Sequence, residues 1–221
     1  MREGQGILLI TNAVVPATMD EFDAWYLRQH LNERLGIVGF ERGRRYRTDS
    51  PSTRFMALYE TQTPAVLHGE GYMARLANPT PWTQKVMPSF RDTSRSLLRV
   101  GATQGVLVGS AIATIDLTAV IKDESIIAKL RALLPEISVA PGICAAHLWL
   151  PPDFVPPPTP ELKLRDAPDR SVAGVLAIEA TGTGSLRSVI EANVARHLPA
   201  ATVASVEIYS LLCTMEASAA K

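Results

Sequence analysis

The chain has 221 residues, 47% of them hydrophobic, with 22 Lys+Arg against 22 Asp+Glu and a formal net charge of zero. That composition supplies a full core and excludes wholesale disorder. A chain without net charge also has no global field to hold DNA, RNA or an anionic membrane surface, and little repulsion against self-association, so a homodimer is compatible with it.

The two cysteines, Cys144 and Cys213, form no CxxC and no framework, which is the usage of a reducing compartment and makes a cytoplasmic location the expectation. The apolar patch Ile7-Leu8-Leu9-Ile10 is too short for a signal segment, and Thr11 and Asn12 follow it directly. No run approaches the roughly 18 apolar residues of a membrane span.

In chain order, Gln5 to Val15 reads as a buried strand ended by Pro16. Asp20 to Leu35 reads as an amphipathic helix, capped by Thr18 or Asp20, with acidic residues in its first turn and Gly36 at its end. Val38 to Thr48 is a second strand and Asp49-Ser50-Pro51-Ser52 a turn. Arg54 to Thr61 is a third strand, with Phe55, Ala57 and Tyr59 on one face and Met56, Leu58 and Glu60 on the other. Pro64 opens a helix to about Leu76, which Asn78-Pro79 breaks. A short piece follows with Thr80 as cap, Pro81 at its first position and an end near Pro88. Ser94 to Val100 is a fourth strand.

The order then recurs. Gly105 to Asp116 is a strand and Glu124 to Leu134 a helix with aliphatics at helical spacing. Gly142 to Leu150 is a strand, and the run from Pro151 to Pro158 is too proline-dense for helix or ladder. Ser171 to Ala180 is a strand, Gly184 to Leu198 a helix and Val203 to Met215 a last strand. Gly39-Phe40-Glu41-Arg42-Gly43-Arg44-Arg45-Tyr46 lines up with Gly142-Ile143-Cys144-Ala145-Ala146-His147-Leu148-Trp149, and Ala57-Leu58-Tyr59-Glu60 with Leu176-Ala177-Ile178-Glu179. A period of roughly 100 residues indicates a duplicated domain. The expected organisation is α+β: two fused βαββαβ ferredoxin-like repeats, 1–102 and 103–221, the second carrying a Pro-rich insertion at 151–160. Each repeat leaves one sheet face bare, and packing sheet on sheet as an α+β barrel covers both.

Phe22, Trp25-Tyr26 and His30 on the first helix, with Gly39-Phe40 entering the second strand, resemble the EthD-type members of the dimeric α+β barrel superfamily, here in a fused form. That superfamily includes small-molecule monooxygenases, isomerases, decarboxylases and haem-binding enzymes. It also includes members with no known activity, so the resemblance implies the fold and leaves the chemistry open.

The two repeats differ where function would sit. The first helix of repeat one carries Trp25, Tyr26, His30, Glu33 and Arg34, whereas Glu124 to Leu134 carries aliphatics, Lys129 and Arg131. This contrast points to one working cavity in repeat one, with the second copy as scaffold. His30 is the acid–base candidate, because imidazole alone changes charge near neutral pH unaided. Tyr26, one turn earlier, orients it or binds substrate. The plainer alternative is a helix-surface histidine paired with Glu33 or Glu60. Trp25, Arg34, Arg44, Arg45, Tyr46, Tyr72 and Trp82 are candidate substrate contacts. Arg44 and Arg45 point to opposite faces of their strand, so at most one faces a given cavity. Their plainer role is protection of an exposed edge strand. Tyr59 reads as a core aromatic.

No metal or cofactor is expected. His30 and Glu33 lack a third ligand at metal spacing, and His147 and His197 are more plausible as scaffold than as haem ligands. There is no GxSxG, and Gly182-Thr183-Gly184 is a turn and not a dinucleotide fingerprint. The cysteines fall on opposite edges of the second sheet, about 14 Å apart at ~4.8 Å per strand, too far for a disulfide, so two free thiols are expected. Two functions follow. One is a cofactor-independent enzyme, of decarboxylase, isomerase or oxygenase type, on a small aromatic or polyketide-like metabolite, with His30 and Tyr26 opening into one cavity. The other is a non-catalytic ligand-binding or assembly module in which the arginine strand pairs with a partner subunit.

Overall fold

The computed structural model describes residues 1–50, 53–155, 159–165 and 169–218. Pro51 and Ser52 of the expected turn, and Pro156 to Pro158 of the Pro-rich stretch, lie outside the described residues. The first half runs β1 (Gly6–Val14), α1 (Met19–Trp25), a π turn (Tyr26–His30), α2 (Leu31–Leu35), β2 (Phe40–Arg47), β3 (Phe55–Thr61), α3 (Glu70–Ala77), α4 (Pro81–Val86) and β4 (Phe90–Gln104). The second runs β5 (Ala111–Asp116), α5 (Glu124–Ser138), β6 (Ile143–Leu150), β7 (Val175–Ala180), α6 (Thr183–Val189), α7 (Ala200–Val203) and β8 (Glu207–Glu216).

Strand pairing joins all eight in one closed antiparallel barrel, β1-β3-β2-β8-β5-β7-β6-β4. Each half keeps the ferredoxin-like order, β4-β1-β3-β2 and β8-β5-β7-β6, and the halves close on each other where β2 pairs with β8 and β4 with β6. The correspondence between halves extends to register. Arg44 faces Leu58 as His147 faces Ala177, and the same bulge follows Phe40 in one half and Ile143 in the other. Each bulge is preceded by a glycine at positive φ, Gly39 (+93°) and Gly142 (+77°), a conformation other residues rarely adopt.

Period-two alternation sorts the core into three clusters. Phe55, Ala57 and Tyr59 face the first-half helices, along with Leu8. Met56 and Leu58 face the barrel lumen with Ile7, Leu9, Tyr46 and Trp149. A third cluster, including Leu130, Leu134, Leu148 and Ile178, fills the second half beneath α5 and α6.

Several boundaries differ from the sequence expectation. The strand expected from Gly105 begins only at Ala111, and β4 instead runs on to Gln104, past the 102/103 junction, because it has β6 to pair with. The chain turns at Gly105 (φ +82°). The helix expected from Pro64 is interrupted at Gly69, whose extended backbone separates a 3-10 turn (Pro64–His68) from α3. The helix opening near Gly184 passes through a π turn (Ile190–Val194), and Val203 ends α7, so β8 starts at Glu207. Thr80 caps α4 as expected, accepting from the Thr83 amide at 3.1 Å.

β2 is not an edge strand. It is hydrogen-bonded to β3 on one side and β8 on the other, so it needs no charged guard and cannot pair with a partner subunit. Arg44 instead points into the lumen and is fully buried. Its Nη1 donates to both Glu179 oxygens (2.9 and 2.8 Å) and to the Tyr46 hydroxyl (2.9 Å), and its Nη2 donates to Glu60 Oε1 (2.9 Å). His147 lies 3.2 Å from Glu179 through Nε2 and 2.7 Å from the Thr103 hydroxyl through Nδ1. Burial alone would push the Glu179 carboxyl up, but His147 and Arg44 hold it down to about 2. Cys144 and Cys213 are free thiols.

Breaking a buried ion pair leaves a charge that nothing compensates. Arg44→Met leaves Glu60 with only Arg42 at 3.5 Å, and Glu179 with only His147 and the Gly109 amide, and is expected to lower the unfolding free energy by about 3–5 kcal/mol in urea denaturation. A variant as stable as the parent would show that the network contributes nothing net.

Candidate functional site

The stripe along the first helix faces inward. Phe22, Trp25, Tyr26, His30, Leu31 and Arg34 are buried, while Leu27 on the opposite side is 54% exposed. Between α1 and α2 the backbone opens into the π turn Tyr26–His30, so both catalytic candidates sit on the one wide turn of this helix. Such turns recur at functional sites.

His30, 4% exposed, is held by rings. It stacks on Trp25 at 4.1 Å and meets Tyr26 edge to face at 5.0 Å and Tyr59 at 6.4 Å. Trp25 is anchored by its Nε1, which donates to the Thr83 hydroxyl at 3.2 Å. Arg45, on the helix-facing side of β2, lies 4.2 Å over the Tyr26 ring and donates to Asp23 at 2.7 Å. Arg34 covers the Tyr72 ring at 5.5 Å and donates through Nη2 to Glu161 at 2.7 Å. Arg95 donates to the Tyr72 hydroxyl at 3.1 Å, and Arg165 pairs with Asp169 at 2.7 Å.

Six buried polar atoms in this cluster have no protein partner among the described residues: His30 Nδ1, Tyr59 Oη, Arg34 Nη1, Arg95 Nε, Arg165 Nε and Asp169 Oδ1. Buried polar groups are nearly always hydrogen-bonded, and each unsatisfied one costs about 1–3 kcal/mol. Burial, reinforced by Arg34 and Arg45, holds the His30 imidazole well below its usual range, so it is neutral at neutral pH. Burial pushes the Tyr26 phenol up to about 12 against the pull of Arg45 and Arg34, and pushes the Tyr59 phenol well above its ordinary value. Arg34 stays charged: burial opposes its charge, and Glu161 with Tyr72 and Tyr59 outweighs that.

The structure therefore gathers Trp25, Tyr26, His30, Arg34, Arg45 and Tyr72 on one side of the sheet. It does not bring Arg44 or Tyr46 there, because alternation along β2 turns both into the lumen. Trp82 is only partly buried, on the outer flank of α1, where its Nε1 donates to Glu21 at 2.7 Å. The surface pairing considered for His30 is absent. Glu60 projects from the opposite face of β3 onto Arg44, and Glu33 lies 3.9 Å from Arg75. His30 and Tyr26 line none of five surface clefts of about 490–810 Å3. An open cleft of about 810 Å3 lies nearby, walled by Asn32, Leu35, Phe40 and Glu60, but neither His30 nor Tyr26 lines it. Among the described residues no group of three or more His, Cys, Asp or Glu is placed to hold a metal ion. His147 is engaged at both ring nitrogens, and His197 Nε2 accepts from Arg196.

Sequence reasoning reads Tyr59 as a core aromatic and does not single out Arg95, Glu161, Arg165 or Asp169. The face of Tyr59 was readable from strand alternation, but its unpartnered hydroxyl was not. Glu161 lies 127 residues from Arg34, on a 3-10 turn (Pro160–Leu164) between β6 and β7 of the other half, and no spacing rule connects the two.

No protein-family profile and no curated protein matches the chain. Solved structures do. An anthrone oxidase-like protein shares 10% identity over 99% of this chain and 95% of its own, with a TM-score of 0.60. A candidate monooxygenase from Fusobacterium nucleatum shares 8% over 99% and 94%, with a TM-score of 0.58. A candidate chlorite dismutase shares 10% over 96% and 96%, with a TM-score of 0.53. At these identities the likeness shows the ferredoxin-like α+β barrel fold. No helix among the described residues is long and apolar enough to cross a membrane.

Acid should act on this core through two histidines. For both His30 and His147 burial lowers the proton affinity, a loss that Glu179 only partly offsets for His147. Once unfolded, each titrates near the ordinary value of about 6.5. The unfolded chain therefore binds more protons in acid, so their contribution to stability is complete above about pH 6.5 and is lost as the pH falls below it. The urea midpoint is expected to drop between pH 7 and pH 5, and His30→Gln to flatten that slope. An unchanged slope in the variant would show that His30 is not buried as a neutral imidazole.

Proposed function

We propose that this protein binds a small ring-bearing molecule between its first helix and the outer face of the first half-sheet, and that His30 moves a proton on that molecule without a cofactor. The observation that carries this is that three of those partnerless polar atoms, His30 Nδ1, Tyr59 Oη and Arg34 Nη1, belong to side chains set among aromatic rings. A ligand oxygen would satisfy the Tyr59 hydroxyl and the guanidinium, and flat aromatic surfaces favour a planar body.

The electrostatics favour one direction of transfer. A neutral imidazole in its Nε2–H tautomer presents a lone pair at Nδ1, so it accepts a proton from a C–H or O–H of the ligand. The electron pair stays on the ligand as an enolate or phenolate, whose negative oxygen lies against Arg34 with Tyr59 donating to it. That charge also offsets the guanidinium field that depresses His30, so the imidazolium is best tolerated when the anion forms. Tyr26 and Trp25 fix the imidazole by edge and face contact, and their role is positioning. Isomerisation and oxygenation of aromatic or polyketide-like metabolites both pass through such anions. The resemblance of Phe22, Trp25-Tyr26, His30 and Gly39-Phe40 to EthD-type proteins supports the same site. The fold alone does not choose among reactions.

The test uses aryl ketones, with acetophenone and 1-tetralone as probes, in deuterated water. The protein should accelerate exchange of the protons next to the carbonyl, and His30→Ala should slow it by about 10²–10⁴-fold, while leaving the thermal transition of the fold in place. Tyr59→Phe should weaken binding of the same ketones, followed by quenching of tryptophan emission. Equal exchange rates in wild type and His30→Ala would exclude His30 as the base. Binding that survives in His30→Ala, Tyr59→Phe and Arg34→Met alike would place the ligand elsewhere.

A further inference from the structure

The side chain that meets Arg34 comes from the other half of the molecule, and it is a carboxylate. Glu161 and Arg34 are both buried, with side chains 10% and 4% exposed, and the pair is held by a single short contact, Arg34 Nη2 to Glu161 Oε1 at 2.7 Å. A guanidinium fork accommodates two carboxylate oxygens side by side. Here one arm is used and the other, Nη1, has no partner among the described residues. The fork is thus gripped at one point by a group whose chemistry is that of an organic acid.

The surroundings match an aromatic acid. The Tyr72 ring lies under the guanidinium at 5.5 Å, and the stacked pair Trp25–His30 lies on the same helix one turn away. The segment bearing Glu161 is tied down on either side of that residue. Phe154 packs against His68 at 4.2 Å, the Arg170 carbonyl accepts from the Arg95 amide at 2.8 Å, and Leu164 packs on the first-half core. Glu161 is therefore held at Arg34 by a segment whose described flanks are both anchored on the first half.

We infer that Glu161 is a built-in stand-in for the carboxylate of the ligand: an aromatic carboxylic acid enters the His30 site by displacing Glu161 from Arg34 and taking both arms of the guanidinium. This rests on the small-molecule site proposed above and names the class of acid that it takes and the contact that holds it shut. Binding of such an acid is weakened by the fraction of molecules in which Glu161 already holds Arg34. A neutral ligand of the same shape does not compete for the guanidinium in this way.

The experiment titrates the full-length protein calorimetrically with benzoate and with its neutral isostere benzamide. Glu161→Gln removes the charge at nearly constant shape, and should tighten benzoate by about tenfold or more while changing benzamide little. Arg34→Met in the Glu161→Gln background should abolish that gain. Glu161→Asp, which keeps the charge and folds with the smallest change, should stay close to wild type. In the wild type, benzoate should also speed amide exchange in 159–165, since it releases Glu161. Unchanged or weaker benzoate binding in Glu161→Gln, with benzamide still bound, would overturn the stand-in role and leave the His30 site standing. Failure of both ligands to bind wild type and Glu161→Gln would overturn this inference, and ketone exchange would then decide separately whether the His30 site survives.

Discussion

The lumen ion network around Arg44 is the constraint on which the rest of the barrel depends. A guanidinium with no exposure is tolerable only where its charge is met at once, and here carboxylates come from both halves: Glu60 from β3 and Glu179 from β7. Their positions are equivalent in the two halves, as are those of Arg44 and His147. Where one half supplies arginine, the other supplies a histidine that burial keeps largely neutral. Two arginines facing two glutamates would have placed four charges in the lumen. With His147 neutral, Arg44 serves both carboxylates, and His147 Nε2, Thr103 and the Gly109 amide complete the hydrogen bonding around Glu179 and His147. The asymmetry between the halves is thus already required at the barrel axis.

That requirement fixes what β2 can do elsewhere. Once Arg44 is committed to the lumen, alternation places Arg45 on the helix side, over the Tyr26 and Phe22 rings and against Asp23. The field of Arg45, with that of Arg34, is then part of what depresses His30. Closing the barrel and tuning the imidazole are consequences of two neighbouring residues on one strand. The aromatic ring stack does the remaining positioning, and it costs His30 its access to solvent.

The parts legible in the sequence were those governed by local periodicity. The ferredoxin-like order, the two faces of β3, the inward stripe of Tyr26, His30 and Arg34, and the opposed directions of Arg44 and Arg45 all follow from periods of two and about four. Edges and long-range partners were not legible. β2 looked like a guarded edge because its partner β8 lies at the far end of the chain. Arg44 and Tyr46 looked like ligand contacts because their lumen partner, Glu179, is 135 residues away from Arg44. Tyr59 looked like plain packing because a strand pattern reports the direction of a side chain and says nothing of whether its hydroxyl finds a partner. Boundaries failed at Gly69 and Gly105, where backbone freedom and strand pairing outweighed the apolar pattern.

The aliphatic second half suggested an inert scaffold, and the contacts between halves argue otherwise. Its helix α5 carries no counterpart of the His30 cluster, but the excursion between its strands β6 and β7 crosses to the first half and places Phe154, Glu161 and Leu164 against the helix layer there. In a barrel built from two separate identical chains, any such excursion would be present twice and would act on both sites alike. Within one continuous chain the loop of one half can specialise toward the helix layer of the other while its own half keeps only packing. The polar stripe on the first helix and the carboxylate on the distant 3-10 turn are therefore two parts of one arrangement, and Arg34 is the residue at which they meet.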